Sequence, residues 1–389
     1  MRTWRLLPLL LLCLLASGPA LPAAPPGAVV TIRNTLDIPR PSETVELTGA
    51  AIRTAMPVED LRTVHVSDSA SGTEVVAQPV DLNDDGVFDS VIFQADLDPG
   101  AARTFTLSVG PRQVRTKDQF KAYGRFVRER RDDFAWENDR VAHRMYGKAL
   151  ETWAQEPLTS SAVDVWFKRT RRLVINEWYM VDDYHRDLGE GADMYSAGKS
   201  RGCGGNGIWD AGKLYTSANF VDSRVLANGP IRVMFELTYP AFDAAGGRVT
   251  EVKRITLDAG HNLNRFESRY AGMPAGPKMQ AAGVKKAPGS VVAQDKARGL
   301  LRTWEPVKAD GSHFGCGVIV DPARLAAFAE ADGNVLAVTA LPAGSDITYY
   351  AGSGWNKSGD FTTVEDWDRY LDQAARRIRS PLAVSIAPR

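Results

Sequence analysis

The sequence predicts an all-β protein in which a small β-sandwich precedes a larger antiparallel β-sandwich. Short segments rich in β-branched and aromatic residues recur along the chain, with Pro, Gly, Asp or Ser between them, a pattern typical of strands. Only the segments 322–331 and 363–378 show helical periodicity. The chain has 389 residues, more than one ordinary hydrophobic core accommodates, so two domains are expected.

The first 24 residues have the features of a signal peptide. Arg2 and Arg5 precede an apolar run too brief to span a bilayer, and small residues follow up to Ala24. Cys13 lies in this run without small residues just before it, which disfavours a lipoprotein. The sequence therefore predicts an exported protein, periplasmic or secreted, with no transmembrane segment in the mature chain.

The charge of the chain excludes one class of partner. There are 47 basic and 47 acidic residues, and removal of the signal peptide would take the basic count to 45. Binding of nucleic acid needs a basic excess, so no such partner is expected. The sequence does not determine the oligomeric state.

The small sandwich is expected over residues 25–112. Strand-like segments at 29–35, 43–48, 64–68, 90–94 and 103–109 have the spacing of an immunoglobulin-like sandwich. The polar segment 110–119 is expected to link it to the second domain, residues 120–389.

An aspartate-rich segment inside the first domain resembles half of a calcium loop. Asp81, Asn83 and Asp85 alternate and Gly86 follows them, as in such loops. The twelfth position is Ile92 and not a bidentate Glu, so a hairpin turn is favoured over a bound ion. No cofactor is expected, and structural calcium stays an alternative.

The second domain repeats the strand pattern with longer elements. Candidate strands are 163–166, 172–175, 231–239, 249–257, 263–270, 316–320 and 335–339. The segment 363–378 is predicted to be a helix, because a Thr cap and an acidic first turn precede an apolar face formed by Trp367, Tyr370, Leu371 and Ala374.

The segment 184–213 is the candidate active-site loop. It places Tyr184, His185, Tyr195, Arg201 and Trp209 among many glycines, a composition that cannot form a continuous apolar face. Long irregular segments of this kind often carry function.

Three further segments concentrate polar and aromatic residues. If 136–147 is one strand, its residues alternate onto a face suited to binding a sugar, although a solvated outer face would look the same. The same period-two alternation places Asp164, Trp166 and Lys168 on one face of a second strand. A third segment contains Trp355, Asn356 and Asp360. The predicted sugar-facing row comprises Trp136, Asn138, Arg140, Ala142, Arg144 and Tyr146.

Among the five histidines, His185 and His143 are the preferred acid or base candidates. Both lie in polar aromatic segments, and imidazole titrates near neutrality. His65 and His261 are expected to be structural, and His313 lies close to Cys316 in sequence.

Other chemistries have weaker support in the sequence. No serine-hydrolase elbow, zinc-protease, phosphate-binding or dinucleotide-binding motif is present. His185, Asp187 and Glu190 have suitable ligand types for a metal but no strong spacing signature, so no metal is expected. Cys203 and Cys316 could form a disulfide or remain free thiols, and covalent catalysis by Cys203 is disfavoured.

The chain resembles a family of exported bacterial proteins that is classed as a domain of unknown function and found among polysaccharide-utilisation proteins. The resemblance extends to a dehydratase acting on ulvan oligosaccharides. The matching segments are 134–140, 144–147, 164–166, 184–187, 189–191, 201–205, 207–210 and 354–356. Residues 227–239 and 253–260 also resemble the galactose-mutarotase type of β-supersandwich, a fold that commonly binds carbohydrate.

This resemblance implies elimination across C4–C5 of a uronic-acid residue in plant or algal oligosaccharides. Such a reaction needs a base, an acid and a cation for the carboxylate. The candidate base is His185 or Tyr184, and the acid is Tyr195 or His143. The residues expected to bind substrate are Trp136, Asn138, Arg140, Arg144, Trp166, Lys168, Arg201, Trp209, Trp355 and Asn356.

Two other functional classes remain open. A glycoside hydrolase or epimerase could use the same scaffold, since Glu137, Asp164, Asp187, Glu190 and Asp193 provide carboxylates for hydrolysis. A non-catalytic glycan-binding protein would need the tryptophans but not His185.

Overall fold

The computed structural model describes residues 27–181, 184–341 and 346–389, and the predicted signal peptide, residues 1–24, lies outside them. The strands form five sheets in which all the strand pairs are antiparallel, which confirms the predicted all-β class. No helix in the described part of the chain is long and apolar enough to cross a membrane.

The first strands form a two-sheet sandwich around one apolar core. The core includes Val30, Phe93 and Phe105, all fully buried. One sheet has the order β1-β7-β3-β4 and the other has the order β2-β6-β5. The elements are β1 (Gly27–Arg33), β2 (Arg40–Thr48), α1 (Gly49–Ala55), β3 (Val64–Asp68), β4 (Glu74–Val75), β5 (Ala77–Val80), β6 (Ser90–Leu97) and β7 (Ala102–Val109).

The aspartate-rich segment forms the turn between β5 and β6. The Asp81 carboxylate accepts hydrogen bonds from the backbone N–H groups of Asn83, Asp84 and Gly86. Asp85 accepts from the N–H of Val87 at 2.8 Å. These bonds stabilise the segment as a closed turn, the geometry expected of an Asp-rich hairpin.

A third sheet follows, with the order β12-β11-β10-β9-β8. Its β9 and β10 form a hairpin, so the prediction of one strand over 136–147 is wrong. The hairpin pairs Trp136 with His143 and Ala135 with Arg144, because the chain turns back after Asn138. The elements are β8 (Ala122–Val127), β9 (Asp133–Asn138), β10 (Ala142–Met145), β11 (Asp164–Lys168), α2 (Ile175–Trp178) and β12 (Gly191–Ala192).

The remaining strands form a five-stranded and an eight-stranded sheet. Their orders are β14-β13-β19-β24-β23 and β15-β16-β17-β18-β25-β22-β21-β20. The elements are β13 (Cys203–Asp210), β14 (Lys213–Tyr215), β15 (Asp222–Asn228), β16 (Arg232–Ala244), β17 (Gly247–Asp258), β18 (Leu263–Ala271), β19 (Met279–Lys285), β20 (Val291–Asp295), β21 (Leu300–Pro306), β22 (His313–Ile319), β23 (Leu325–Ala331), β24 (Asn334–Ala340) and β25 (Asp346–Trp355).

One large core joins these two sheets and the β8–β12 sheet. Phe134 of β9 stacks on Phe235 of β16 with ring centroids 4.0 Å apart, and Ala282 and Val335 from the five-stranded sheet belong to the same core. The eight-stranded sheet is thus covered by both smaller sheets, the arrangement expected of a supersandwich.

Helix α3 (Val364–Arg379) confirms the predicted helix over 363–378. Thr363 and Asp366 form a capping box, and Trp367 and Leu371 are buried against the large sheet. The last strand, β26 (Ala383–Pro388), pairs with β1 and so returns to the first sandwich. The boundary between the two predicted domains stays a prediction.

Three further local predictions are wrong. Residues 325–331 form β23 and not a helix, because this alanine-rich segment pairs with β24 and strand pairing outweighs helix propensity. The predicted strand over 172–175 is a turn that enters α2. The segment 184–213 is irregular only at first, since β13 and β14 occupy its second half.

Candidate active site

A pocket of about 370 Å³ opens beside the β8–β12 sheet and the segment 193–198. It brings together residues that are far apart in the sequence, including Arg144 from β10, Asp164 from β11 and His185 from the following loop. The polar residues lining it are Arg144, Tyr146, Glu156, Asp164, His185, Asp193, Tyr195 and Ser196.

Arg144 is the centre of a buried charge cluster at the pocket. Its Nε donates to Oδ2 of Asp164 at 2.8 Å, and its Nη2 lies 2.9 Å from Oδ2 of Asp193. Tyr146 donates its hydroxyl to the same Asp164 oxygen at 2.7 Å. Burial lowers the pKa of Arg144, but Asp193 and Asp164 outweigh it and raise that pKa. Arg144 therefore stays charged and is already paired.

The cluster holds more carboxyl groups than arginines can neutralise. Asp133 lies 3.4 Å from Nε of Arg130 and 3.7 Å from Nη1 of Arg144. Burial raises the pKa of Asp133 to about 6, against the opposing effect of these two arginines. Burial also raises the pKa of Asp193 well above its usual range. A proton on one of these carboxyls removes the excess negative charge.

His185 is one of the exposed polar residues of the pocket. Its side chain is 55% exposed, and its Nδ1 lies 2.9 Å from the backbone oxygen of Asp193 and 3.5 Å from Oδ2 of the same residue. A carbonyl oxygen can only accept, so Nδ1 carries the proton of that bond. The neutral ring then has its lone pair on Nε2, available to act as a base.

Two tyrosines are found in this region. Tyr184 packs on the His185 ring at 4.5 Å between centroids, and its hydroxyl accepts from Arg130 at 2.6 Å and Arg144 at 3.3 Å. Tyr195 lines the pocket and packs edge-on against Phe314. Burial raises the pKa of both tyrosines. Both phenols therefore keep their protons at neutral pH and can act as proton donors.

Glu156 and Lys285 are among the residues of this region that were not predicted from the sequence. Glu156 lines the pocket, has a side chain 42% exposed and pairs with Arg130. Lys285, at the end of β19, donates to the backbone oxygen of Ser196 and lies 5.7 Å from the Tyr195 ring. Neither residue lies in a conspicuous motif, so only the fold identifies them.

Three of the proposed site residues lie in the core beside the large sheet. Trp136 is fully buried, stacks on His143 and donates its Nε1 to Asn264 at 2.7 Å. His143 is also fully buried, and burial lowers its pKa to about 3. Asn138 donates to the backbone oxygens of Asp258 and His261. None of these three lines the pocket.

Trp166 and Lys168 are buried on the opposite side of the same sheet region. Trp166 packs against Trp178 and Tyr184. Lys168 is fully buried, and its Nζ donates to Oε2 of Glu137 at 2.6 Å and to two backbone oxygens. Their positions favour packing roles, with Trp166 only indirectly connected to the pocket through Tyr184.

Two further arginines predicted to bind substrate, Arg140 and Arg201, also pair with other residues. Arg140 pairs with Asp360. Arg201 is buried within the sandwich and donates to Ser161 at 3.0 Å, and burial lowers its pKa to about 10. Trp209, near the end of β13, packs in a separate cluster with Leu214.

Trp355 and Asn356 lie at the end of β25. Trp355 is buried, stacks on Phe167 and donates to the Ser312 hydroxyl at 2.7 Å. Asn356 accepts from the backbone N–H of His313 at 2.9 Å. Neither lines the pocket, so of the fourteen proposed residues the pocket lining includes only His185, Tyr195 and Arg144.

The carboxylates considered as metal ligands already have cationic partners. Asp187 pairs with Arg169, and Glu190 pairs with Arg172 at 2.9 Å. Within residues 27–181, 184–341 and 346–389, no group of three His, Cys, Asp or Glu side chains has the arrangement of a metal site.

Cys203 and Cys316 form a disulfide, with their Cα atoms 5.4 Å apart. The bond connects β13 of the five-stranded sheet to β22 of the eight-stranded sheet. Cys203 is therefore part of the core and not a free nucleophile.

Comparison of the fold with solved structures finds glycosidases. The chain is similar to an alpha-mannosidase from Enterococcus faecalis V583, with a TM-score of 0.50 and 10% identity over 93% of this chain and 46% of that chain. A glycosyl hydrolase family 38 protein from Enterococcus faecalis gives a TM-score of 0.52 at 10% identity, over 93% and 47%. The chain thus spans about half of each protein, and the likeness concerns the fold.

Sequence comparison finds a relative that matches over nearly its whole length. The chain is 31% identical over 374 residues to "Uncharacterized protein P7" of Formosa agariphila, which covers 92% of this chain and 93% of the relative. The pattern of the family described as "Domain of unknown function (DUF4861)" matches residues 32–384. Because that match covers nearly all of the described chain, the protein belongs to the DUF4861 family.

Proposed function

We propose that this protein is a carbohydrate-active lyase or hydro-lyase that eliminates across C4–C5 of a uronic-acid residue in plant or algal oligosaccharides. The observation that carries the proposal is the orientation of His185, whose Nδ1 is bound by the Asp193 carbonyl while the ring stays exposed at the pocket. A base of this kind is what removal of a proton beside a carboxylate requires.

In the proposed reaction, Nε2 of His185 removes the C5 proton. The electron pair forms the C4–C5 double bond, and the hydroxyl or glycosidic oxygen leaves from C4. Tyr195 donates a proton to the leaving oxygen, with Tyr184 as the alternative donor, since burial keeps both phenols protonated. The products are an unsaturated uronate and water or a shortened sugar.

A cation beside the substrate carboxylate would lower the pKa of the C5 proton. Arg144 already pairs with Asp164 and Asp193, so we assign this role to Lys285. Its ammonium group lies next to Ser196 and Tyr195, two residues that line the pocket.

The principal alternative is a glycoside hydrolase, the activity named for the two structurally similar proteins. Hydrolysis by two carboxylates needs both of them to reach the sugar. Asp164 and Asp193 have side chains 1% and 0% exposed and both contact Arg144. Among the described residues lining the pocket, only Glu156 is an exposed carboxylate, which favours elimination. An epimerase or a non-catalytic glycan-binding protein are the remaining alternatives.

The test is to incubate the full-length mature protein with sulfated and unsulfated uronic-acid oligosaccharides and to measure near-ultraviolet absorbance and reducing ends. Elimination should produce new absorbance. The variant His185→Ala should abolish this absorbance, and the remote control variant His65→Ala should still produce it. Reducing ends without absorbance, lost in Glu156→Gln, would establish hydrolysis. Binding without any product would leave the glycan-binding function, and an isomerised sugar would identify an epimerase.

We also propose that the protein works outside the cytoplasm, in the periplasm or secreted. The disulfide between Cys203 and Cys316 supports this location, because such bonds persist mainly in oxidising compartments. Fractionation of the native host, with detection of the protein by antibody, would test it. Recovery in the cytoplasmic fraction would refute the proposal.

A further inference from the structure

A second cavity, of about 280 Å³, lies where the first sandwich meets the eight-stranded sheet and helix α3. Its walls include Glu43 of β2, Asp258 at the end of β17, and Arg377 and Tyr370 of α3. Among the described residues, none lines both this cavity and the candidate active site. The second cavity is therefore a separate site.

Arg377 is a buried cation with no hydrogen-bond partner at this cavity. It is 8% exposed, and its Nη1 lies 3.8 Å from Oε2 of Glu43. That separation is too long for a hydrogen bond. No other described carboxylate pairs with its guanidinium.

The carboxylates around Arg377 are already neutralised by other arginines. Glu43 accepts from Arg40 at 2.9 Å. Asp258 accepts from Arg232 at 2.7 and 2.9 Å, one bond to each oxygen. Both carboxylates thus accept their hydrogen bonds from other arginines, and Arg377 keeps only the 3.8 Å ion pair with Glu43.

His261 also lines this cavity, but it carries no negative charge that could pair with Arg377. Nε2 of His261 lies 2.9 Å from the backbone oxygen of Ser42, to which it donates. Burial, together with the charge of Arg377, lowers the pKa of His261. The imidazole is therefore neutral, and Arg377 has no hydrogen bond to a described residue at this cavity.

We propose that this cavity binds a small oxyanion, a carboxylate or sulfate group, with the guanidinium of Arg377 as its main ligand. The planar guanidinium presents parallel N–H donors that match two oxygens of such a group. Tyr350 and Tyr370 line the same cavity and offer aromatic surface to a sugar ring. The oxyanion can thus be a free ion or part of an acidic saccharide. This inference does not depend on the proposed reaction.

The test is thermal melting of the full-length mature protein in sodium sulfate at constant ionic strength. Above the dissociation constant, each tenfold rise in sulfate should raise the Tm by about 2 °C. Arg377→Gln should abolish this rise, and Arg377→Lys should weaken the affinity by about tenfold. The matched control is Arg376→Gln, which removes the neighbouring surface arginine that pairs with Asp37 and should respond like the wild type.

A second titration distinguishes the sources of the oxyanion. A uronic-acid disaccharide that acts at concentrations at least tenfold below sulfate, while its neutral analogue has no effect, identifies an acidic saccharide. Equal potency of sulfate and the disaccharide identifies a free oxyanion. An unchanged wild-type Tm, or the same Tm rise in the wild type and both Arg377 variants, would overturn the proposal.

Discussion

Replacement of Lys168 by Met should destabilise the protein without directly altering the pocket. The ammonium group is fully buried and donates to Oε2 of Glu137 at 2.6 Å. The other oxygen of Glu137 accepts from the backbone N–H groups of Val174 and Ile175 at 2.7 and 2.8 Å. The pair therefore connects β9 and β11 to the start of α2.

The size of the stability loss in Lys168→Met follows from the buried charge that the substitution leaves unpaired. Loss of the ammonium leaves the Glu137 carboxylate buried with only its two backbone donors, and breaking a buried pair in this way costs about 3–5 kcal/mol. Unfolding entropy of about 2.1 cal/mol/K per residue converts this loss to a Tm decrease of about 4–6 °C for a chain of this length.

The assay is thermal melting, with Lys286→Met as the surface control. Lys286 pairs with Glu330 in solvent, so its loss should change the stability by less than about 1 kcal/mol. Adding Glu137→Gln to Lys168→Met should restore part of the lost Tm, because the buried charge is removed. Unchanged Tm together with lost oligosaccharide binding by Lys168→Met would refute the structural role and support the substrate-binding prediction.

Three further predictions concern stability. Replacing both Cys203 and Cys316 by Ala should lower the free energy of unfolding by about 2–5 kcal/mol, since the bond closes a loop of 113 residues; equal denaturation midpoints would contradict this. Gly354→Ala should cost about 1–3 kcal/mol, because a Cβ there would lie 2.6 Å from Trp367, and an unchanged melting curve would show that the helix can shift. Burial raises the pKa of Asp133 to about 6, so the folded protein favours the protonated carboxyl. The contribution of Asp133 to the free energy of unfolding should therefore be complete below pH 4 and should fall by about 3 kcal/mol as the pH rises through 6. Asp133→Asn should remove this fall, and an identical pH dependence in the variant would refute the assignment.

The sequence predicted the element types best where local patterns are strong. The helix over 363–378 has a cap and an apolar face, and both are present in the structure. The strand prediction failed at 325–331, where an alanine-rich segment carries no distinctive period and pairing with β24 decides the conformation.

The site residues were predicted less completely. Period-two alternation shows which face of a strand a residue lies on, but it does not show whether that face is exposed to solvent. Trp136 and Lys168 lie on strands covered on both faces, so both are buried. The separations along the chain also hid the charge cluster, in which Arg144 meets Asp193 through the pairing of β10, β11 and β12.

The sequence by itself determined that the chain is an all-β protein and that the segment around His185 carries exposed polar chemistry, because both follow from local composition and spacing. Only the tertiary structure decided that His185 and Tyr195 share a pocket, that His143 is buried, and that Arg377 lies 3.8 Å from Glu43 at a second cavity. Burial and charge pairing depend on contacts between distant segments, and the fold alone brings those segments together.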